Sequence, residues 1–400
     1  MGERSPCSLT ALGVVNCLGR NPSEIWKRLI EGDQSGFRQR TDFVPDRSLW
    51  VGEVRDSLPE LPPELSRFAC RNNALTLLAL EQIRGEFETA LSRFGSDRIG
   101  VILGTSTSGV GDAESAIAHQ IESGALSSRF HYDQLEFGGA SSFVAELLGL
   151  GGPAYTLSTA CSSGARALAS ARSLIRLGVC DAVIAGATDS LCGLTTSGFS
   201  ALQALSDEIT NPMSGNRKGL TLGEGAALFL VTADPDGIQL LGVGESSEAH
   251  HMSAPDPAGT GARSAMEFAL TDAGLGASEI DYLNLHGTGT PLNDSMESVA
   301  VDTVFDSGVP CSSTKAVVGH TLGAAGAMEA AFCWLLLAAR DGDQLTLPPH
   351  CWDGVQDETL PVLALAEKGQ CVRAAHPARV MSNSFGFGGN NCTLVLGEPS

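Results

Sequence analysis

Four hundred residues, with 25 lysines and arginines against 46 aspartates and glutamates and a formal charge of −21, argue against nucleic acid or an anionic membrane as the main partner. The length exceeds what one core normally serves, 43% apolar residues fit a globular protein, and no apolar run reaches the ~18 residues of a membrane span, the longest conspicuous one being residues 330–339. Eleven cysteines without a C-x-x-C pair fit neither a disulfide framework nor a structural zinc site. The N-terminus lacks a secretory pattern, and Pro6 interrupts the acylation pattern that Met1-Gly2 begins, so a cytoplasmic location is expected.

In chain order, apolar periodicity and turn residues predict a strand from Ser8 to Asn16, a capped amphipathic helix from Pro22 to Glu31, and one long helix from Asn73 to Phe94 ending at Gly95. A short strand, Ile99 to Leu103, runs into GTSTSGVG, and a small-residue helix is expected from Gly138 to Leu150. The stretch TLSTACSSGARALASARSLIRL places Cys161 where a strand gives way to a helix, and buried strands follow at Asp181 to Ala187 and Gly223 to Thr232. Further on come a helix from Gly261 to Ala273, the strand Tyr282 to Leu285 ending in HGTGTPLND, and a helix from Asp294. The strand-like VPCSST follows, and Gly319-His320-Thr321 opens a helix through Ala339. The chain closes with the strand Ala378 to Ser382, the glycine turn NSFGFGGNN and the strand Cys392 to Leu396.

The second part repeats the first. IGVILGTSTS answers IDYLNLHGTGT, AYTLSTACSSGARALASA answers PCSSTKAVVGHTLGAAGAMEAA, and GEGAALFLVT answers GGNNCTLVLG. Two parallel-rich α/β units are expected, residues 1–235 and 236–400, packed so that matching strand ends converge.

Three groups would meet there. The unpaired amides at a helix N-terminus, carrying roughly half a positive charge, favour thiolate at Cys161 and hold an oxyanion beside it. His286 follows a strand directly, and His320 stands at a helix start with Lys315 upstream. The adjacent pair His250-His251 points two ways and has no further ligand spacing, so no metal is expected.

The ordered set TACSSGA, LGEGAA, HHMSAPDP, HGTGTPLND, K-x-x-x-GHTLGAAG and GFGG resembles the β-ketoacyl-acyl carrier protein synthases of the thiolase superfamily, most closely the elongating fatty-acid and type II polyketide or aryl-polyene enzymes. That resemblance implies a thiolase fold, two α/β halves in a layered α-β-α-β-α sandwich. It implies decarboxylative Claisen condensation of an acyl group on Cys161 with malonyl-acyl carrier protein to give the 3-oxoacyl product. His286 and His320 would steady the growing enolate, with Lys315 keeping a positive charge near His320 and Glu329 pairing with Lys315. The Cys161 and Phe387 amides would form the oxyanion hole, with Gly386 and Gly388 letting Phe387 swing as a gate. Thr288 and Thr290 would bind the phosphopantetheine arm, with His251 and Ser253 near the entrance. Asp294 and Glu297 would cap a helix and organise the site from behind. No cofactor is implied beyond the carrier's own phosphopantetheine.

As partners the resemblance implies an acyl carrier protein and either a homodimer or a heterodimer with a ketosynthase-like chain-length subunit, with the IGVILG and DAVIAGA strands at the interface. The chain departs from its relatives in SDEITNP, where Asp207 and Glu208 stand in a segment that carries a basic residue in relatives, so the carrier contacts are expected from Arg67 and Arg71, from another face or from a partner subunit. Thr107 and Ser108 replace bulkier apolar residues, which predicts a roomier acyl tunnel that favours long chains. A thiolase-like acyltransferase would carry a second cysteine in place of one histidine. A non-condensing chain-length subunit would lack the nucleophile, so Cys161 argues against it.

Overall fold

The structure, a computed structural model, describes residues 6–306, 308–374 and 377–399; the Met1-Gly2 start lies outside them. Ten strands form its main sheet: β1 (Ser8–Val15), β2 (Ile99–Gly104), β3 (Ala154–Leu157), β4 (Ala182–Asp189), β5 (Gly225–Thr232), β6 (Gln239–Ser247), β7 (Tyr282–Asn284), β8 (Cys311–Ser312), β9 (Arg379–Gly386) and β10 (Asn390–Gly397). Their order, β8-β7-β9-β10-β6-β1-β5-β4-β2-β3, reads alike from both ends. β2 runs parallel to β3 and β4, while β4 to β5 and β5 to β1 are antiparallel; β7 repeats this with β8 and β9, then β9 to β10 and β10 to β6. The halves meet where Ser8 faces Gln239, the only registered pair between β1 and β6.

Helices complete a five-layer stack. The Ser163–Arg176 and Ala325–Ala338 helices lie between the two sheet halves within one apolar core that draws Ala167, Leu168, Phe229, Phe332 and Leu394 from both parts of the chain. The Arg71–Gln82 and Gly139–Leu148 helices cover the outer face of the first half, and the Thr260–Ala273 and Pro291–Phe305 helices that of the second. The helix Ala325–Ala338 is apolar all round because it is buried all round.

Five departures from the sequence reading have local causes. The expected long helix breaks at Ile83 (φ −106, ψ 11) into Arg71–Gln82 and Arg84–Phe94, since the buried Ile83 side chain is drawn into the outer core. The helix expected to open at Gly319 begins at Ala325, after a one-turn helix Lys315–Val318 that ends at Gly319 with φ +79, a conformation that favours glycine. The helix expected from Asp294 starts at Pro291, where proline suits the first turn. Strand β6 was hidden by Gly242 and Gly244, which read as loop residues. A Cβ at Gly244 would sit 1.9 Å from the Ala265 carbonyl, so the glycine lets the Thr260–Ala273 helix lie on the strand; Gly13 in β1 stands in the same relation to Ala79 O, also at 1.9 Å. Finally, β2 and β4 are interior strands, and the free edge on that side is β3, the TACSSGA approach itself.

Two helices, Val110–Ser123 and Gly193–Ala201, and two small sheets, Phe37–Arg40 with Leu49–Gly52 and Leu222–Gly223, and Gln344–Thr346 with Cys371–Arg373, complete the departures as elements the sequence reading passed over. Among the described residues no helix is long and apolar enough to cross a membrane.

Candidate active site

Between β3 and its helix the backbone turns sharply, with Ala160 at φ +53. Local hydrogen bonds hold that turn: the Thr159 amide donates to Ser163 Oγ at 2.8 Å, and Ser163 Oγ donates to Ala160 O at 2.6 Å. Small residues then let the two central helices touch, since a Cβ at Gly164 would lie 2.6 Å from the Ala327 nitrogen and one at Gly326 2.8 Å from the Ala165 nitrogen. This contact brings Cys161 against the segment that carries His320.

The Cys161 Sγ lies 3.1 Å from His320 Nε2 and the thiol is almost fully buried, at 6% exposure. His286 stands beside them, its ring 5.4 Å from and nearly perpendicular to that of His320. Burial pushes the Cys161 thiol up to about 11, although Lys315 and the Phe387 and Cys161 amides pull it down. Burial also holds both imidazoles well below their ordinary value, with Lys315 adding to the effect. Burial thus favours a neutral thiol beside a neutral imidazole over the thiolate expected from the helix N-terminus, desolvation working against the amide dipoles.

His286 is held from every side. Glu297 Oε1 and Oε2 accept the His286 and Gly287 amides, each at 2.7 Å, and Asp294 Oδ1 accepts the Gly289 amide at 3.1 Å. The two acids thus clamp the HGTG turn, where a capping role was expected. Both are fully buried, which raises the Asp294 pKa and pushes that of Glu297 up to about 7. Lys315 Nζ donates to the His286 carbonyl and to Glu329 Oε1 and lies 3.4 Å from His286 Nδ1. The lysine thus serves His286, not His320 as the sequence suggested. An ammonium cannot accept, so Nδ1 is the acceptor and His286 presents Nε2–H. Burial pushes Glu329 up to about 7 against the pull of Lys315.

These groups face a cavity of about 310 Å³. Its wall includes Cys161, His286, His320, Thr288, Thr290, Ser253 and the turn Gly386 to Gly389. Thr288 and Thr290 share a hydroxyl hydrogen bond of 2.8 Å. Exposed His251 accepts the Ser253 and Ala254 amides at 3.2 Å and shapes the entrance turn. Phe387, 37% exposed, packs on Phe199 with ring centres 5.6 Å apart. Gly388 follows at φ +79, a conformation glycine adopts without strain. Phe199, Glu248, Phe385 and Asn391 also line the cavity; Phe385 and Asn391 fall within the glycine turn NSFGFGGNN, whereas Phe199 and Glu248 were given no role from the sequence.

Four sequence candidates lie elsewhere. Thr107 is turned away from the cavity, donating to Asp189 Oδ1 at 2.7 Å, and Ser108 donates to Glu136 O at 3.0 Å. Asp189 is a buried carboxylate, its pKa raised by desolvation, that also accepts Thr105, Ser106 and Ala324. Arg67 is paired with Asp133 and Glu146, and Arg71 with the buried Glu224, so neither is a free cation for docking. Arg47 and Lys218 are likewise paired, with Asp207 and Glu208.

Sγ of Cys161 and one ring nitrogen of each histidine lie within 4.8 Å of one another, which offers a metal three ligands. The Lys315 ammonium beside His286 opposes a second cation there.

Residues 5–236 match the family described as Beta-ketoacyl synthase, N-terminal domain, and residues 238–345 its C-terminal domain. A 3-oxoacyl-[acyl-carrier-protein] synthase 2 of Coxiella burnetii is 33% identical over 98% of this chain and 99% of its own, and a Nodulation protein E of Rhizobium meliloti 31% over 97% and 98%. Among solved structures, that of the ketosynthase ApeO in complex with its chain length factor ApeC from Xenorhabdus doucetiae superposes with a TM-score of 0.93 at 44% identity, covering 98% of both chains.

Proposed function

The chain belongs to the β-ketoacyl synthase family, an acyltransferase-type enzyme, and from that premise we propose that its cavity carries out decarboxylative condensation with Cys161 as the acyl carrier. The observation that carries the reading is the neutral Cys161–His320 contact at 3.1 Å with a second, lysine-oriented histidine beside it. In the first half-reaction the thiol proton passes to His320 Nε2 as sulfur attacks the acyl-carrier thioester. The Cys161 and Phe387 amides hold the oxyanion, and the carrier thiol leaves with the proton. In the second, the malonyl thioester oxygen accepts hydrogen bonds from the histidines, CO2 departs, and the carbanion attacks acyl-Cys161. The sulfur leaves as thiolate and takes up one proton. A dry cavity strengthens each of these charge contacts.

The substrates would arrive on the phosphopantetheine of an acyl carrier protein, with Thr288 and Thr290 along the arm and Phe387 at the acyl gate. No separate cofactor is needed for these steps. A heterodimer with a chain-length subunit is favoured over a homodimer, on the similarity to the ApeO and ApeC complex. The apolar side chains Ile117 and Ile121, exposed on the helix Val110–Ser123, would be covered in such a pair. With Arg47, Arg67 and Arg71 held in ion pairs, cations for carrier docking are assigned to the partner subunit.

Substitution tests the scheme. Cys161→Gln should still release CO2 from malonyl-acyl carrier protein while forming no 3-oxoacyl product. Continued condensation by that variant would remove Cys161 from the mechanism.

A further inference from the structure

The site described so far leaves out a third buried histidine. His350 follows the Leu347-Pro348-Pro349 run and is 6% exposed, its ring packed against Trp352 at 5.8 Å between centres. Its two nitrogens do opposite things. Nδ1 accepts the Ser313 amide at 3.1 Å, and Nε2 donates to the Pro212 carbonyl at 2.9 Å. Only a neutral imidazole in the Nε2–H form supplies one acceptor and one donor in this way. Burial supports that form, lowering the pKa to about 4.

Each partner leads back to the His286 turn. Ser313 Oγ donates to Gly287 O at 2.6 Å and itself accepts the Lys315 amide at 3.3 Å. On the other side the Met213 amide donates to Asp294 Oδ2 at 2.8 Å, and Asp294 Oδ1 accepts the Gly289 amide. His350 therefore closes a ring of hydrogen bonds that runs from Gly287 through Ser313, His350, the Pro212-Met213 pair and Asp294 to Gly289. The ring encloses the HGTG turn and fixes the start of the segment from which Lys315 reaches His286. Among the described residues no hydrogen bond joins this ring to Cys161 or to the oxyanion amides.

We propose that His350 is a positioning residue for the decarboxylation step, setting the His286 turn through Ser313 and Asp294, with a much smaller effect on acyl transfer to Cys161, which the ring reaches only through the Lys315 charge. The inference rests on the condensing function proposed above. It assigns the ring chiefly to one half-reaction, which a general contribution to folding would not do.

The test measures the two half-reactions separately, acyl loading of Cys161 by intact mass and CO2 release from malonyl-acyl carrier protein, on the protein with its partner subunit where loading requires one. His350→Leu removes both hydrogen bonds and should lower kcat for CO2 release at least about tenfold, with KM and the loading rate within about twofold. His350→Gln, which again offers one acceptor and one donor, should recover most of the loss. Should His350→Leu not fold, His350→Asn, too short to reach both partners, takes its place in the same comparison. Unchanged CO2 release in the leucine or asparagine variant overturns the proposal, as do equal losses in both half-reactions or a glutamine variant no better than leucine. Wild-type protein that neither loads an acyl group nor releases CO2 overturns the condensing reading itself, a result distinct from any of these.

Discussion

The two histidines sit in turns of opposite character. Around His286 the turn amides, the carbonyl and the ring Nδ1 are engaged: Glu297 chelates two amides, Asp294 a third, and Lys315 covers Nδ1 and the carbonyl, which leaves Nε2–H facing the cavity. Around His320 the amide donates to Thr221 O at 2.7 Å, the carbonyl accepts Gly223 N at 3.0 Å and Nε2 meets Cys161 Sγ, while the ring Nδ1 has no protein partner among the described residues. The difference amounts to a division of labour. A locked tautomer makes His286 a permanent donor, whereas the unheld Nδ1 lets His320 exchange tautomers, accepting the thiol proton in one half-reaction and donating to the thioester oxygen in the next.

The sharpest way to break this contrast is to delete each ring. His320→Ala should depress both acyl loading and CO2 release by about 10²–10⁴-fold, and His286→Ala only CO2 release by a similar factor, with loading rates read from intact mass against time. Equal losses in both half-reactions for both variants would erase the distinction. Next in size, Lys315→Met strands Glu329 in the core and frees His286 Nδ1, so unfolding by urea should show a loss of about 3–5 kcal/mol along with slower decarboxylation. Full stability would mean that the pair is not buried as described.

A pH experiment sharpens the description of Cys161. With the thiol pushed up to about 11 and no imidazolium beside it, the thiolate fraction grows with pH throughout the accessible range. Alkylation by iodoacetamide should then accelerate roughly tenfold per pH unit from about pH 7 to 9, following thiolate abundance. A plateau below pH 8 would indicate an ion pair with His320. The smallest effect lies outside both turns: Arg67→Ala removes surface pairs with Asp133 and Glu146, and should cost about 0–1 kcal/mol while leaving carrier KM within about twofold. A large rise in KM would restore Arg67 as a docking residue.

Much of the scaffold was legible because the duplicated strands are short apolar runs with glycine-rich ends, as in IGVILGTSTS and YLNLHGTGT. Cys161, His286 and His320 could be brought together because their motifs lie at strand and helix ends of the two halves, whereas Lys315 and Glu329 joined them only through the family resemblance. What escaped depended on long-range packing. Gly242 and Gly244 look like a loop until the Thr260–Ala273 helix is laid against them. Lys315 precedes His320 closely in sequence, yet its ammonium crosses to His286, which no spacing rule reveals. Arg67 and Arg71 looked available for a carrier because their acid partners, Asp133, Glu146 and Glu224, are distant in the chain. His350 gave no signal at all, since both its partners are backbone groups.

The central claim, that Cys161 carries the acyl group which the malonyl carbanion attacks, is tested most directly by peptide-resolved mass spectrometry after incubation with a panel of acyl-carrier thioesters, with and without malonyl-acyl carrier protein. The account predicts an acyl adduct on the Cys161 peptide that disappears when malonyl-acyl carrier protein is added, with 3-oxoacyl-carrier appearing in its place. An adduct on another residue, or one on Cys161 that malonyl-acyl carrier protein leaves untouched, would contradict it.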